Sequence, residues 1–130
     1  MYEVGIETAL QLTREIRTIE ERLDAVRLSI GWDVVQMLPP LTRETAEIRA
    51  ALKMCCDFTD TRLENQRRER EQALEQALRR SMQGEDGCVS ELHDAMRTMR
   101  DSTLELEQAT IDTLHTLRER ATKQVRSVSA

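Results

Sequence analysis

The sequence predicts an all-α protein in which three long antiparallel helices form an elongated, coiled-coil-like bundle. Apolar residues recur at alternating intervals of four and three over long stretches, which is the spacing of a coiled-coil seam. Strand-like alternation never extends beyond a few positions. Strong helix-ending signals fall in two segments, residues 39–41 and 84–88. We therefore expect one helical domain over residues 1–130, with helices at about 4–38, 42–83 and 90–127.

The first predicted helix carries the clearest seam. Its apolar stripe consists of Leu12, Ile16, Ile19, Leu23, Val26 and Ile30. Leu10 and Leu28 widen this stripe, so we expect the helix to face more than one neighbour. Pro39 and Pro40 end the helix, because proline lacks the amide hydrogen that a helix interior needs.

Gly31 is expected to loosen the end of this helix. The apolar residues around it would then form a plug that closes the end of the bundle: Trp32, Val34, Val35, Met37 and Leu38. Trp32 has two interpretations. It is either part of this plug or an anchor for another protein, since tryptophan is enriched at the energetic centres of interfaces.

The second predicted helix begins near Thr42, whose hydroxyl can cap the free amides of the first turn, and Glu44 suits the positive end of the helix dipole. Its seam starts with Ile48, Leu52 and Cys55, with Ala51 and Phe58 beside them. Continued in the same phase, the seam becomes polar at Thr59, Arg62, Gln66 and Glu69. It becomes apolar again at Leu74, Ala77, Leu78 and Met82.

The segment Arg62–Gln72 contains one apolar residue in eleven. Its Glu–Arg pairs, three and four residues apart, contribute about 0.2 to 0.5 kcal/mol each, which is too little to order the segment alone. The mixed charges favour a solvated helix between two packed ends. The functional alternative is a docking surface in which Arg62, Arg67, Arg68 and Arg70 bind carboxylates of another chain. A nucleic-acid site is disfavoured, because the net charge of the segment is only +1.

The third predicted helix follows the loop Gly84–Gly87, where glycine permits the left-handed conformation that ends many helices. Ser90 is expected to cap it. One stripe contains Leu92, Met96, Met99, Thr103, Leu106, Thr110 and Leu117, and a second contains Leu104, Ile111, Leu114, Ala121, Val125 and Val128. The second stripe exceeds what an internal three-helix core needs. We therefore expect it to bind another helix through Leu104, Ile111, Leu114, Ala121 and Val125.

The end of this helix is basic. Between Thr113 and Ala130, Arg118, Arg120, Lys123 and Arg126 stand against Glu119, a balance of +3. These residues complement the negative carboxyl end of the helix dipole. The functional alternative is a surface for an acidic partner, such as a filament lattice.

Few residues are arranged for catalysis or metal binding. His93 and His115 are 22 residues apart on one predicted helix, which separates them by about 33 Å. Asp112 and His115 have the spacing of only half a di-iron site, and the adjacent Cys55 and Cys56 project about 100° apart. Aromatic residues make up 2% of the chain, so a deep pocket is not expected. We predict no enzyme, no cofactor, no metal site and no small-molecule substrate.

Composition and charge indicate a soluble, cytoplasmic protein. The net charge is -5, there is no apolar run long enough for a membrane span, and the three cysteines lack disulfide-framework spacing. We predict a non-enzymatic scaffold subunit that packs with other helical proteins of a larger assembly, for which cytoskeletal or ciliary (axonemal) structures are natural homes. The alternatives are a chaperone or adaptor that sequesters an amphipathic client segment, and a regulator that binds nucleic acid through the basic tail.

Overall fold

The computed structural model describes residues 2–40 and 42–129, with the side chains of residues 7–40 and 42–127. The helices are α1 (Tyr2–Met37), α2 (Arg43–Met82) and α3 (Cys88–Ser129). No strand occurs in the described residues. Because α3 packs against both α1 and α2, the predicted all-α bundle of three long helices is confirmed. Leu41, in the first predicted turn, and the side chain of Val128 lie outside the described part.

The first turn is built as the sequence predicts. The helix α1 ends at Met37, and Pro39 and Pro40 follow after the single residue Leu38. The hydroxyl of Thr42 accepts a hydrogen bond from the backbone amide of Thr45 at 3.0 Å. Thr42 therefore caps α2, because its oxygen satisfies an amide that has no partner within the helix.

The second turn uses the glycines of the loop. Gly84 has a φ of 81°, its amide donates to the Ser81 carbonyl at 3.1 Å, and the Glu85 amide donates to the Arg80 carbonyl at 3.0 Å. These two bonds form a Schellman motif, which closes the end of α2. The expectation that Ser90 caps α3 is wrong. The helix begins two residues earlier, at Cys88, so Ser90 already lies in its first turn.

The tertiary contacts divide the chain into two compact units, each containing part of every helix. Unit 1 comprises the described residues of Met1–Glu20 and Arg62–Glu105, and unit 2 those of Glu21–Thr61 and Leu106–Ala130. The core of unit 1 contains Ala9, Leu12, Ile16, Ala77, Leu92 and Met96. The core of unit 2 contains Ile30, Val34, Leu38, Ile48, Leu52, Leu114, Leu117 and Ala121. A single domain over residues 1–130 stays a prediction.

Helix directions in unit 2 follow from paired contacts. Arg27 of α1 bonds Asp60 of α2, and Gly31 of α1 lies against Leu52 of α2, so the two helices run antiparallel. The helices α2 and α3 also run antiparallel, since Thr59 lies against Thr110, and Glu44, nearer the start of α2, bonds a residue nearer the end of α3.

The predicted plug at the end of α1 is wrong in part. The helix continues through Gly31 to Met37. Val34 and Leu38 are buried, whereas Trp32 is 66% and Val35 is 40% exposed. The reason is helical phase: each residue turns the side chain by about 100°, so Trp32 and Val35 point away from the face that carries Val34 and Leu38.

The second stripe predicted on α3 is also wrong in part. Leu114 and Ala121 are buried in the core of unit 2, so they belong to the main seam. The seam reaches them because it advances by four residues twice in succession, from Leu106 through Thr110 to Leu114, which rotates it toward the second stripe. Leu104 remains 40% exposed, and Ile111 and Val125 are half-buried.

Candidate functional site

The charged middle of α2 is partly internal. Arg70 Nη1 donates to Glu20 Oε1 of α1 at 2.7 Å, and Arg67 Nη2 donates to Glu20 Oε2 at 3.0 Å. The side chains of Arg70 and Glu20 are each only 7% exposed. The docking-surface hypothesis is therefore wrong for Arg70, whose carboxylate partner belongs to the same chain. Sequence reasoning missed Glu20, although it directly follows the seam residue Ile19.

The phase of α2 explains this result. The buried positions after Thr59 are Leu63, Gln66 and Arg70, whereas Arg62 and Glu69 are exposed. The predicted polar seam through Arg62 and Glu69 is thus one residue out of phase. The single apolar residue of the segment, Leu63, enters the core in place of its charged neighbour.

The four arginines of the docking hypothesis do not form one surface. Arg62 and Arg68 are exposed, and Arg68 bonds Glu64, one turn earlier on α2, at 2.7 Å. Arg67 and Arg70 converge instead on one carboxylate of α1. The segment is therefore held by α1, not only by the pairs along α2.

Polar side chains also occupy the core of each unit. In unit 1, Thr103 Oγ1 donates to Gln66 Oε1 at 3.0 Å, and Gln66 Nε2 donates to Ser102 at 3.0 Å. In unit 2, the hydroxyls of Thr59 and Thr110 lie 3.2 Å apart. Within the described side chains, no buried nitrogen or oxygen lacks a hydrogen-bond partner. Sliding one helix along another would break these bonds, so the polar layers define the helix register.

The basic tail is divided between internal and exposed residues. Arg120 donates through Nε and Nη2 to Glu44 Oε1 of α2, at 3.0 and 2.7 Å, so it serves the fold of unit 2. Arg118 contacts His115 Nδ1 at 3.1 Å, one turn earlier on α3. Lys123 and Arg126 are exposed. Of the four cations of this tail, Arg120 therefore bonds another helix, whereas Arg118 contacts a residue of α3 and Lys123 and Arg126 are exposed.

The largest apolar side chains on the outside of unit 2 include a row on α1. Leu28 is 71%, Trp32 66% and Val35 40% exposed, and Ala25 is exposed three residues before Leu28. We call these four residues the outer stripe. Their intervals of three, four and three repeat the spacing of a coiled-coil seam, but on the side of α1 opposite its buried seam. The sequence analysis took Leu28 as a residue that widens the main stripe toward a further neighbour, and it overlooked this second pattern.

The three cysteines are buried or partly buried free thiols. Burial raises the pKa of the Cys55 and Cys56 thiols, which disfavours the reactive thiolate. Cys88 is buried, and its Sγ donates to the Glu85 carbonyl at 3.3 Å. Across the described positions, no three His, Cys, Asp or Glu residues come close enough to hold a metal ion.

An apolar cleft lies in unit 1, between the start of α1, the end of α2 and the start of α3. It is lined by Ala9, Leu10, Leu74, Ala77, Leu78, Ser81, Val89 and Leu92, and its volume is about 40 Å³. Sites for small molecules are typically about 300 to 1,000 Å³, so this cleft is too small to be one. None of the helices, over the residues described, has an apolar stretch sufficient to cross a lipid bilayer.

Comparisons with protein-family models, curated proteins and solved structures find no match to this chain. The candidate site therefore depends on geometry alone. The packing of unit 2 leaves two groups of large apolar side chains exposed to water: the outer stripe of α1, and Met54 and Phe58 of α2. The outer stripe is the longer of the two, and burying it against another protein would be favourable.

Proposed function

We propose that the chain is a non-enzymatic structural subunit that packs its helices against another protein in a larger assembly. The outer stripe supports this proposal most directly. Leu28 and Trp32 keep about two-thirds of their side chains exposed, although each would contribute roughly 1.5 to 3 kcal/mol if fully buried. Their coiled-coil spacing suits a helix as the partner.

The proposed contact surface lies on α1, whereas the sequence pointed to the second stripe and basic tail of α3 and to the arginines of α2, with Trp32 as the one candidate on α1. Leu114 is a core residue of unit 2, and Arg70 is bound to Glu20, so neither belongs to the surface. Trp32 takes the role of the anchor, because a large amphipathic ring in the middle of an apolar row is typical of the side chains that dominate binding. A cytoplasmic assembly of helical rods, cytoskeletal or ciliary, is the cellular setting we propose.

The test compares complex size in the cells that make the protein. A tagged wild-type chain should elute from a sizing column far above its mass of 15.0 kDa, and Trp32→Glu should elute as a much smaller species. Trp32→Glu should keep its helicity and melting temperature, since the ring is exposed in the free chain. Met82→Glu is the matched control, because Met82 is an apolar residue that is 88% exposed at the carboxyl end of α2 and is not part of the outer stripe. The elution of Met82→Glu should not differ from that of the wild type.

Two results would contradict the proposal. One is a wild-type chain that elutes only at its own mass. The other is an equal complex size for wild type and Trp32→Glu. A chaperone that sequesters a client segment would be recovered largely free and would join a complex only when its client is overproduced.

A further inference from the structure

We infer that the partner of the outer stripe is a second copy of this chain, with the two α1 helices packed side by side and antiparallel. This inference rests on the proposed function and names the occupant of its surface. Two properties of unit 2 support it: the charges along the groove between α1 and α2, and the sizes of the residues along the stripe.

The groove is bordered on the α2 side by a row of polar residues. Arg49, Lys53, Cys56 and Asp60 recur at intervals of four, three and four, so they lie on one side of α2. This side borders α1, because Arg27 donates to the Cys56 carbonyl and to Asp60. Arg49 and Lys53 therefore lie beside the outer stripe.

The two ends of this groove carry opposite charge. Because the helices run antiparallel, with Gly31 against Leu52, Arg49 lies toward the Val35 end, and Lys53 lies one turn nearer the middle of the stripe. They are exposed and form no salt bridge with any residue that the structure describes. The Ala25 end is acidic. Asp24 and Asp60 share the single cation Arg27, and Asp57 is exposed beside them.

In an antiparallel pair of copies, the opposite charges of the two grooves face each other. A two-fold axis between Leu28 and Trp32 brings the basic end of one groove to the level of the acidic end of the other. Lys53 then faces the partner subunit's Asp57, and Arg49 faces the partner's Asp60. A parallel pair would instead set like charges against each other, which is unfavourable.

The sizes of the stripe residues match in the same arrangement. Leu28 packs against the partner's Trp32, and Ala25 packs against the partner's Val35. Every layer then combines one smaller and one larger side chain, and the layers are evenly filled. In a parallel pair, tryptophan would meet tryptophan and alanine would meet alanine, which leaves one layer crowded and another empty.

The available area predicts a weak dimer. From the exposed fractions of Leu28, Trp32 and Val35, two copies would bury about 700 Å² of apolar side-chain surface, before the polar rim is added. Interfaces below about 1,200 Å² are typical of weak complexes, so we expect a Kd on the order of micromolar. The dimer should therefore form and dissociate over an accessible range of concentration.

The test uses sedimentation velocity of the purified full chain, from about 1 to 200 µM, a range that brackets the expected Kd. The wild type should pass from monomer to dimer over this range. Trp32→Glu should remain monomeric, and Met82→Glu should match the wild type. A wild type that is monomeric at every concentration would overturn the inference.

A charge exchange tests the antiparallel arrangement. Lys53→Glu should weaken the dimer by about tenfold, since it sets two carboxylates together at two symmetric places. Adding Asp57→Lys to Lys53→Glu should restore wild-type affinity, because each residue then again faces its opposite in the other copy. In a parallel dimer neither change would have this effect, so an unchanged Kd for Lys53→Glu would contradict the arrangement.

This test separates the two proposals. If the purified chain is monomeric but Trp32→Glu still releases it from its complex in cells, the stripe binds a different protein and the proposed function stands. If both experiments give no effect of Trp32→Glu, both proposals fail.

Discussion

Replacing Glu20 with leucine should destabilise the chain strongly, because it leaves the charge of Arg70 buried without a carboxylate. The two side chains are each 7% exposed, and their closest atoms are 2.7 Å apart. Removing one partner of a buried ion pair typically costs about 3 to 5 kcal/mol. Chains of this size are stable by only about 5 to 15 kcal/mol, so Glu20→Leu should remove a large share of the free energy of unfolding.

The magnitude depends on the third member of the cluster. Arg67 also binds Glu20, at 3.0 Å, but its side chain is 53% exposed, so water screens it. We therefore expect Arg67→Ala to cost no more than about 1 kcal/mol. Arg70→Met removes the cation and leaves Glu20 with Arg67 alone, which should cost less than Glu20→Leu.

The assay is urea unfolding of purified variants, followed by circular dichroism, arranged as a double-mutant cycle. Combining Glu20→Leu with Arg70→Met should restore stability to within about 1 kcal/mol of wild type, or raise it, because an apolar pair of similar volume replaces the ion pair. Glu69→Leu, an exposed carboxylate on α2, is the control and should stay within about 0.5 kcal/mol. A loss below about 1 kcal/mol for Glu20→Leu, or additive effects in the cycle, would refute the buried pair.

Three further changes test local features of the fold. Gly31→Ala should raise the free energy of unfolding by about 0.5 to 1 kcal/mol, because alanine favours the helical conformation that Gly31 has inside α1. The new Cβ has room, since the nearest atom it would meet is Leu52 Cδ1 at 3.8 Å. A lower melting temperature for this variant would contradict the prediction. Thr42→Ala should cost about 1 kcal/mol in urea unfolding by removing the cap of α2, and an unchanged midpoint would argue against the cap. The Arg80 guanidinium, by hydrogen bond and charge, lowers the pKa of Glu91 from its ordinary 4.5. Because the folded pKa is the lower one, the stabilising effect of this pair is present above about pH 4.5 and is lost as the pH falls through the folded pKa. Glu91→Gln should abolish that pH dependence, and an NMR titration that gives Glu91 a pKa of 4.5 or higher would contradict the ion pair.

Much of the fold follows from local sequence signals. In the row from Leu12 through Leu23 to Ile30, every residue except the partly buried Val26 is buried, as the spacing predicts. The residues that shape the two turns act on the backbone close to them. Pro39 lacks an amide hydrogen, Thr42 accepts a hydrogen bond from a nearby amide, and Gly84 adopts a left-handed φ. Such effects depend on the backbone nearby, so they are readable without knowledge of the neighbours.

The candidate site was only partly predictable. Trp32 was identified with two roles, and its exposure excludes the plug but leaves the anchor as a prediction. The spacing of Ala25, Leu28, Trp32 and Val35 is present in the sequence, yet it competes with the stronger buried seam of the same helix. Spacing alone does not tell which of two apolar rows faces the core.

The sequence by itself determined the number of helices, the positions of the two turns and the main apolar row of α1, because these depend on backbone chemistry and on a period of 3.5 to 3.6 residues. Only the tertiary structure decided that Leu63 and Arg70, not Arg62 and Glu69, face inward, and that Glu20 receives Arg70. The physical reason is that one step along a helix rotates a side chain by about 100°. In a polar segment there is no apolar row to show which side of the helix faces inward. Contacts with the neighbouring helices decide it instead.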